Sequence, residues 1–185
     1  MIEETLLDAI DKMEKAVEHV QSLFTTVRTG RATPALIEKL LINYYGSMVP
    51  VQQLAGFQVP EARQLVVKPH DRKSLVAIEK AIRDSDLGVN PTNDGVAIRL
   101  NFLPLTEELR KEFVKVVKHM AEDGRIAVRN IRRDSRKHLD AAEKAGQISA
   151  DELERAEKDI ERITHEHVEM IDKAFGRKEQ ELLEV

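Results

Sequence analysis

Apolar residues fall into register over the first turns of this chain and hold it. Ile2, Leu6, Ala9, Met13, Val17, Val20, Phe24 and Val27 lie three or four residues apart, the stripe of a bundle helix or coiled coil. The pattern predicts a helix over residues 2–28. It stops at "RTGRATP", where Gly30 and Pro34 break it. A second helix begins after "LPLT": Pro104 blocks backward extension, Thr106 suits the N-cap, and Glu107 and Glu108 suit the positive end of the dipole. Leu109, Phe113, Val116, Met120, Ala127 and Ile131 mark its apolar stripe. Gly124 interrupts that stripe at a cost of about 1 kcal/mol relative to Ala, and Gly146 is placed to close the helix as a C′ residue. Ser149 and Glu152 have capping-box spacing and open a third helix. Leu153, Ala156, Ile160, Ile163, Met170 and Ala174 line its inner face. A helix of about 40 residues is about 60 Å long. Three such seams predict an elongated three-helix bundle.

The stretch between the first two long helices reads differently. "LLINYY", "MVPVQQL", "QLVVK" and "VAIRLNF" are short β-prone runs. "SLVAIEKAIRDSDLG" is a short amphipathic helix with Leu75, Ile78 and Ile82 on one side and Gly88 after its end. "NPTNDG" carries hairpin-turn residues before the last strand. The expected fold class is therefore α+β. A bundle formed by residues 1–30 and 104–185 holds an inserted β/α/β domain at 31–103. Two segments cross between the domains, Thr29, Gly30, Arg31 and Ala32 on one side and Leu103, Pro104 and Leu105 on the other. A double crossing permits bending more readily than free tumbling, so these seven residues are the candidate hinge. Of the tyrosines, one of Tyr44 and Tyr45 belongs in the core and the other is free for a surface contact.

Charge is distributed unevenly. The 185-residue chain carries formal charge -4, yet between Arg110 and His138 ten Lys or Arg stand against four acids. That segment is +6 and the remainder -10. At about 100° per residue, Lys111, Lys118, Arg125, Arg129, Arg132 and Arg136 fall in a wedge of roughly 60°, with Arg133 and Lys115 beside it. One reading is an ordinary solvated helix face balanced by acids of a neighbouring helix. Against it, the arginines have few acidic partners at i±4 on their own helix, and their planar forks suit phosphate oxygens. A long basic stripe fits a nucleic-acid backbone better than a small ligand. The stripe lacks interleaved aromatics, and aromatics make up only 4% of the chain, so stacking on single strands is disfavoured. Recognition of structured RNA through phosphates and shape fits better. Phosphate contact alone does not exclude DNA, but no base-reading motif is visible.

Motifs for catalysis are missing from the sequence. There is no G-x-x-x-x-G-K-[ST], G-x-G-x-x-G or G-x-S-x-G, so any nucleotide-driven step needs a second protein. "ERITHEHVE" places Glu161, His165 and Glu169 on one helix face with His167 near the seam. It lacks the Glu-x-x-His repeats of bundle metal sites, so neither a metal nor another cofactor is expected. No Cys occurs, in keeping with a reducing compartment. No apolar run approaches the roughly 18 residues of a membrane span, and the acidic start "MIEETLLDAI" is unlike a secretory signal. A cytoplasmic protein without a membrane partner is expected.

Several motifs together resemble the ribosome recycling factor family, and the resemblance runs the whole length of the chain. They are "VRTGRATP", "YYG" at 44–46, "SDLGVNPTNDG", "PLTEELRKE", "VRNIRRD" and the closing "KEQELLEV". The resemblance implies an L-shaped molecule with a three-helix bundle and a hinged smaller domain. It implies a non-enzymatic, monomeric translation factor of bacterial type that binds the ribosome after termination through large-subunit ribosomal RNA. Elongation factor G with GTP would then drive subunit separation. By the same resemblance, Arg132, Arg129 and Arg133 contact ribosomal RNA, with Arg28 and Arg31 at basic positions near the hinge. The charged wedge adds Arg125, Arg136, Lys118 and Lys111 as RNA-binding candidates, and the resemblance adds Arg110. Leu109 stands where many relatives carry a further basic residue. The alternatives are a helical scaffold whose basic face binds an acidic protein, and a hydrolase with an unrecognised site.

Overall fold

The computed structural model describes residues 1–87 and 89–184; the helix-ending glycine expected at Gly88 lies outside them. The chain forms two compact units, Met1–Val27 with Lys111–Val185, and Arg28–Arg110.

The first unit is a bundle of three long helices, α1 (Ile2–Thr25), α4 (Glu107–Lys144, whose first turn belongs to the second unit) and α5 (Ala150–Leu183). One layer joins Ala9, Leu139, Ala156 and Ile160. Another brings Gly124 against Val20 and Ile171. Positions therefore rise together along α1 and α5 and fall along α4, so α4 runs antiparallel to the other two. Helix ends follow local chemistry. Thr106 caps α4, its Oγ1 accepting from the Leu109 N–H at 3.2 Å. At the other end, the Gly146 N–H bonds Glu143 O and the Gln147 N–H bonds Ala142 O, with Gly146 at φ 69. This is a Schellman closure, in which the left-handed residue is one that has no Cβ to clash. Ser149 and Glu152 form the expected capping box. α1 ends three residues before the expected Arg28. The Thr25 and Thr26 hydroxyls capture the carbonyls of Ser22 and Leu23 at 2.6 and 2.7 Å, a local bond that competes with helix continuation.

The seam of α1 follows its apolar stripe, with Ala9, Met13, Val17, Val20 and Phe24 buried. The seam of α4 departs from its stripe, whereas that of α5 largely keeps its expected face. On α4 the buried residues are Val117, Ala121, Gly124, Val128, Ser135, Leu139 and Ala142, whereas Leu109 and Val116 are exposed. At about 100° per residue this moves the buried line about 75° round the helix, to about 90° from the centre of the basic wedge. On α5 Ala156, Ile160, Ile163 and Ala174 are buried as expected, Thr164, His167 and Ile171 join them, and Met170 is exposed. Thr164 and His167 enter the core because each bonds the preceding turn: Thr164 Oγ1 donates to Ile160 O, and His167 Nδ1 meets Ile163 O, both at 2.7 Å.

The second unit contains a two-stranded antiparallel hairpin, β1 (Leu41–Tyr44) and β2 (Ser47–Pro50), and a four-stranded antiparallel sheet. The sheet comprises β3 (Ala55–Glu61), β4 (Gln64–Pro69), β5 (Pro91–Asn93) and β6 (Ile98–Asn101), in the order β3-β4-β6-β5. Leu75, Ile78 and Ile82 of α3 (Leu75–Arg83) share one core with Leu65, Val67, Ile98 and Leu100. Two strands exceed the expected runs. β3 contains Pro60, tolerated because β3 is an edge strand and its register shifts between Gln58 and Glu61. β5 takes up the first residues of "PTNDG", and Asp94 Oδ1 then accepts from the Val96 and Ala97 N–H groups to turn the hairpin. Conversely, "VQQL" of the expected second run forms a short helical turn, α2 (Val51–Leu54). Tyr44 is half-buried and donates to Asp71 at 3.3 Å, while Tyr45 is exposed.

Candidate nucleic-acid interface

The arginines of the α4 stripe are graded by burial. Arg125 is the most enclosed and keeps only 17% of its side chain exposed. Its Nε donates to Asp172 Oδ1 at 2.6 Å and its Nη1 to Glu122 Oε2 at 3.0 Å. Burial disfavours the Arg125 charge, but the two carboxylates outweigh it and hold the guanidinium above its ordinary pKa. Glu122 also accepts from Arg129 Nη1 at 3.1 Å. The hydrogen bonds from Arg125 and Arg129 hold its carboxyl below the usual range. Arg132, 33% exposed, donates to Glu161 at 3.4 Å. Arg136 places Nε and Nη2 on Glu157 Oε1 at 3.1 and 2.7 Å, and its Nη1 lies 3.9 Å from Glu161.

Arg133, Lys115 and Lys118 are exposed, and their side chains have no ion pair or hydrogen bond among the described residues. Lys137 has only Asp134 of its own helix, at 3.6 Å. Arg132, Arg133, Arg136, Lys137 and Asp140 together line a shallow concavity of about 290 Å³. Four cationic side chains and one acid around this concavity suit a phosphate group by charge.

The remaining candidates sit elsewhere. Lys111 is exposed at the start of the bundle portion of α4. Arg28, Arg31 and Arg110 belong to the second unit. Arg28 is half-buried, and its Nε has no hydrogen-bond partner among the described residues; Arg31 is exposed.

The sequence reading did not single out the acids that hold the stripe. Asp172, Glu161 and Glu157 come from α5, with Glu122 from α4 itself. A signal for the α5 acids exists: α5 carries eleven acids against six Lys or Arg, and 157, 161 and 172 share one helical edge. Glu161, a member of the "ERITHEHVE" cluster, serves two arginines. No group of three His, Asp or Glu among the described residues is arranged to hold a metal.

The ribosome recycling factor family profile matches residues 20–183. The ribosome-recycling factor of Thermobifida fusca (strain YX) is 54% identical over 185 residues, the full length of both chains. That of Saccharopolyspora erythraea is 53% identical, again over the whole of both. Among solved structures, the solution structure of a ribosome recycling factor superposes with a TM-score of 0.82 at 38% identity, covering 100% of this chain and 98% of the other. Models of the T. thermophilus ribosome recycling factor and the E. coli elongation factor G, bound to the E. coli post-termination complex, contain a second likeness. It has a TM-score of 0.71 and 44% identity over the full length of both chains. With its whole length matched in sequence and fold, this chain belongs to the ribosome recycling factor family.

Proposed function

We propose that this chain recycles ribosomes after termination, binding the post-termination complex through ribosomal RNA and acting with elongation factor G and GTP to separate the subunits. The observation that carries the RNA contact is the outer edge of α4. There Arg132, Arg133, Arg136 and Lys137 converge on one concavity, and Arg129, Lys118 and Lys115 extend the charge along the helix. The contacting set is Arg132, Arg129, Arg133, Arg125, Arg136, Lys118, Lys111 and Arg110, with Arg28 and Arg31 at the domain crossing. Energy comes from the partner GTPase, since the sequence has no phosphate-binding loop of its own, and the chain acts without catalysis. Its place is the cytoplasm with the ribosomes; no described helix is long and apolar enough to cross a membrane.

The hinge reading is supported by how the crossing segments are built. Gly30 has φ 81, and a Cβ there would lie 3.5 Å from Leu105 N, so the two segments touch. The Ala32 N–H donates to Ala62 O at 2.7 Å and the Phe102 N–H to Arg63 O at 2.8 Å. The turn between β3 and β4 thus anchors one end of each segment. Bending then falls on Thr29, Gly30 and Arg31 with Leu103, Pro104 and Leu105, up to the anchored Ala32.

The test is Arg132→Ala. The residue is one-third exposed and held by a single long hydrogen bond, so the fold should survive. Ribosome affinity should fall several-fold. With five arginines on phosphates, log affinity of the unmodified chain should drop against log salt with a slope of about -3 to -4, at roughly -0.7 per phosphate. Full ribosome affinity in a folded Arg132→Ala protein would remove the stripe from the interface.

A further inference from the structure

The stripe faces its own counter-charges. Arg132 and Arg136 stand one turn apart on α4, about 6 Å along the axis. Glu161 and Glu157 stand one turn apart on α5 and meet them in antiparallel order, Glu161 on Arg132 and Glu157 on Arg136, with Glu161 also 3.9 Å from Arg136. Neither guanidinium is saturated: Arg132 makes one hydrogen bond, and Arg136 bonds one oxygen of Glu157 while its Nη1 stays 3.9 Å from Glu161, beyond hydrogen-bond distance. Arg136 spends Nε and Nη2 on a single carboxylate oxygen, and Arg132 spends one Nη1. The Nε and Nη2 of Arg132 and the loosely paired Nη1 of Arg136 leave donors for a ligand at the concavity those two arginines line with Arg133.

Two effects follow from this ladder. The carboxylates cancel part of the field that would draw in any polyanion, which lowers long-range attraction for RNA in general. They also fix the forks in place, which removes rotamer freedom that binding would otherwise have to freeze. A flexible single strand loses from the first effect and gains little from the second. A folded RNA with phosphates held at fixed positions gains from the second. We propose that Glu157 and Glu161 are specificity-determining residues, which make the stripe discriminate folded RNA with fixed phosphates from single-stranded RNA. This rests on the reading of the stripe as the ribosomal RNA contact.

The experiment uses the full chain with Glu157→Gln and Glu161→Gln together. Glutamine keeps the side-chain length and an acceptor oxygen but removes the charge. Binding is measured to a uridine 20-mer by fluorescence anisotropy and to ribosomes by co-sedimentation, each over a salt series. Affinity for the 20-mer should rise at least fivefold, with a steeper salt slope, while ribosome affinity stays level or falls. The single Glu161→Gln should give a smaller change in the same direction, and it carries the test if the double variant melts early. Unchanged 20-mer affinity, or ribosome affinity that rises in equal proportion, overturns the proposal. Arg132→Ala in the same assay separates the two ideas. If that variant keeps full ribosome affinity, the interface reading itself fails, whatever the glutamines do.

Discussion

Arg125 and Arg133 lie eight residues apart on one helix and have opposite dependence on their surroundings. Arg125 is nearly enclosed and bonded to two carboxylates. Removing it leaves Asp172 and Glu122 without their partner, and hydrogen bonds to charged groups are worth about 1.5–3 kcal/mol. Arg125→Ala should therefore lower stability by at least about 1 kcal/mol, read by chemical denaturation. Arg133 is exposed and its side chain has no partner among the described residues. Arg133→Ala should leave stability within about 0.5 kcal/mol and yet weaken ribosome binding, flattening the salt slope by about 0.7. If Arg133→Ala lost as much stability as Arg125→Ala, the grading of the stripe would be wrong. That a stripe exists was legible, because helical spacing alone sets it. Which arginines are anchored was not legible. That depends on residues such as Asp172, 47 positions away from Arg125, and on where the seam lies.

Seam position is a property of whole helices, and four small or polar core residues show why part of it was hidden. The core line of α4 passes through Gly124 and Ser135, and that of α5 through Thr164 and His167. Several large apolar residues, including Val116, Ile126 and Met170, remain outside. On α4 a hydrophobicity count therefore points to the wrong face, whereas the caps of α4 and α5 depend on a few adjacent residues and read correctly. Gly124 has a packing role: a Cβ there would overlap Val20 Cγ2 and come within 3.3 Å of Ile171 Cδ1. Val20 is β-branched and has few rotamers in which to move aside. Gly124→Ala gains about 1 kcal/mol of helix propensity but meets an overpacking cost of about 1–3 kcal/mol. The net should be a loss of about 1 kcal/mol, or about 2–4 °C in Tm. Gly176 on α5 has open space where its Cβ would go, so Gly176→Ala should raise Tm. A rise for both would mean that the layer at Val20 has room to spare.

At the scale of the molecule, the layout of a bundle interrupted by an α+β insert was readable because the period of the apolar pattern changes from helical to strand-like and back. If the paired crossings work as a hinge, a bifunctional cross-link joining the two units should abolish subunit splitting by elongation factor G and GTP while sparing ribosome binding. Splitting at full rate by the cross-linked protein would show that bending is dispensable. The discontinuity of the bundle also affects how the chain is made. α1 leaves the synthesising ribosome first, but its partners in the Ala9 layer, Leu139, Ala156 and Ile160, emerge only after the whole insert. At about 5–20 residues per second that is a delay of about 7–30 seconds. During that time the second unit can complete its own core, while the apolar edge of α1 stays uncovered in the nascent chain. The first helix to be born is thus among the last to be buried, and the amphipathic α1 must stay soluble alone until α5 arrives.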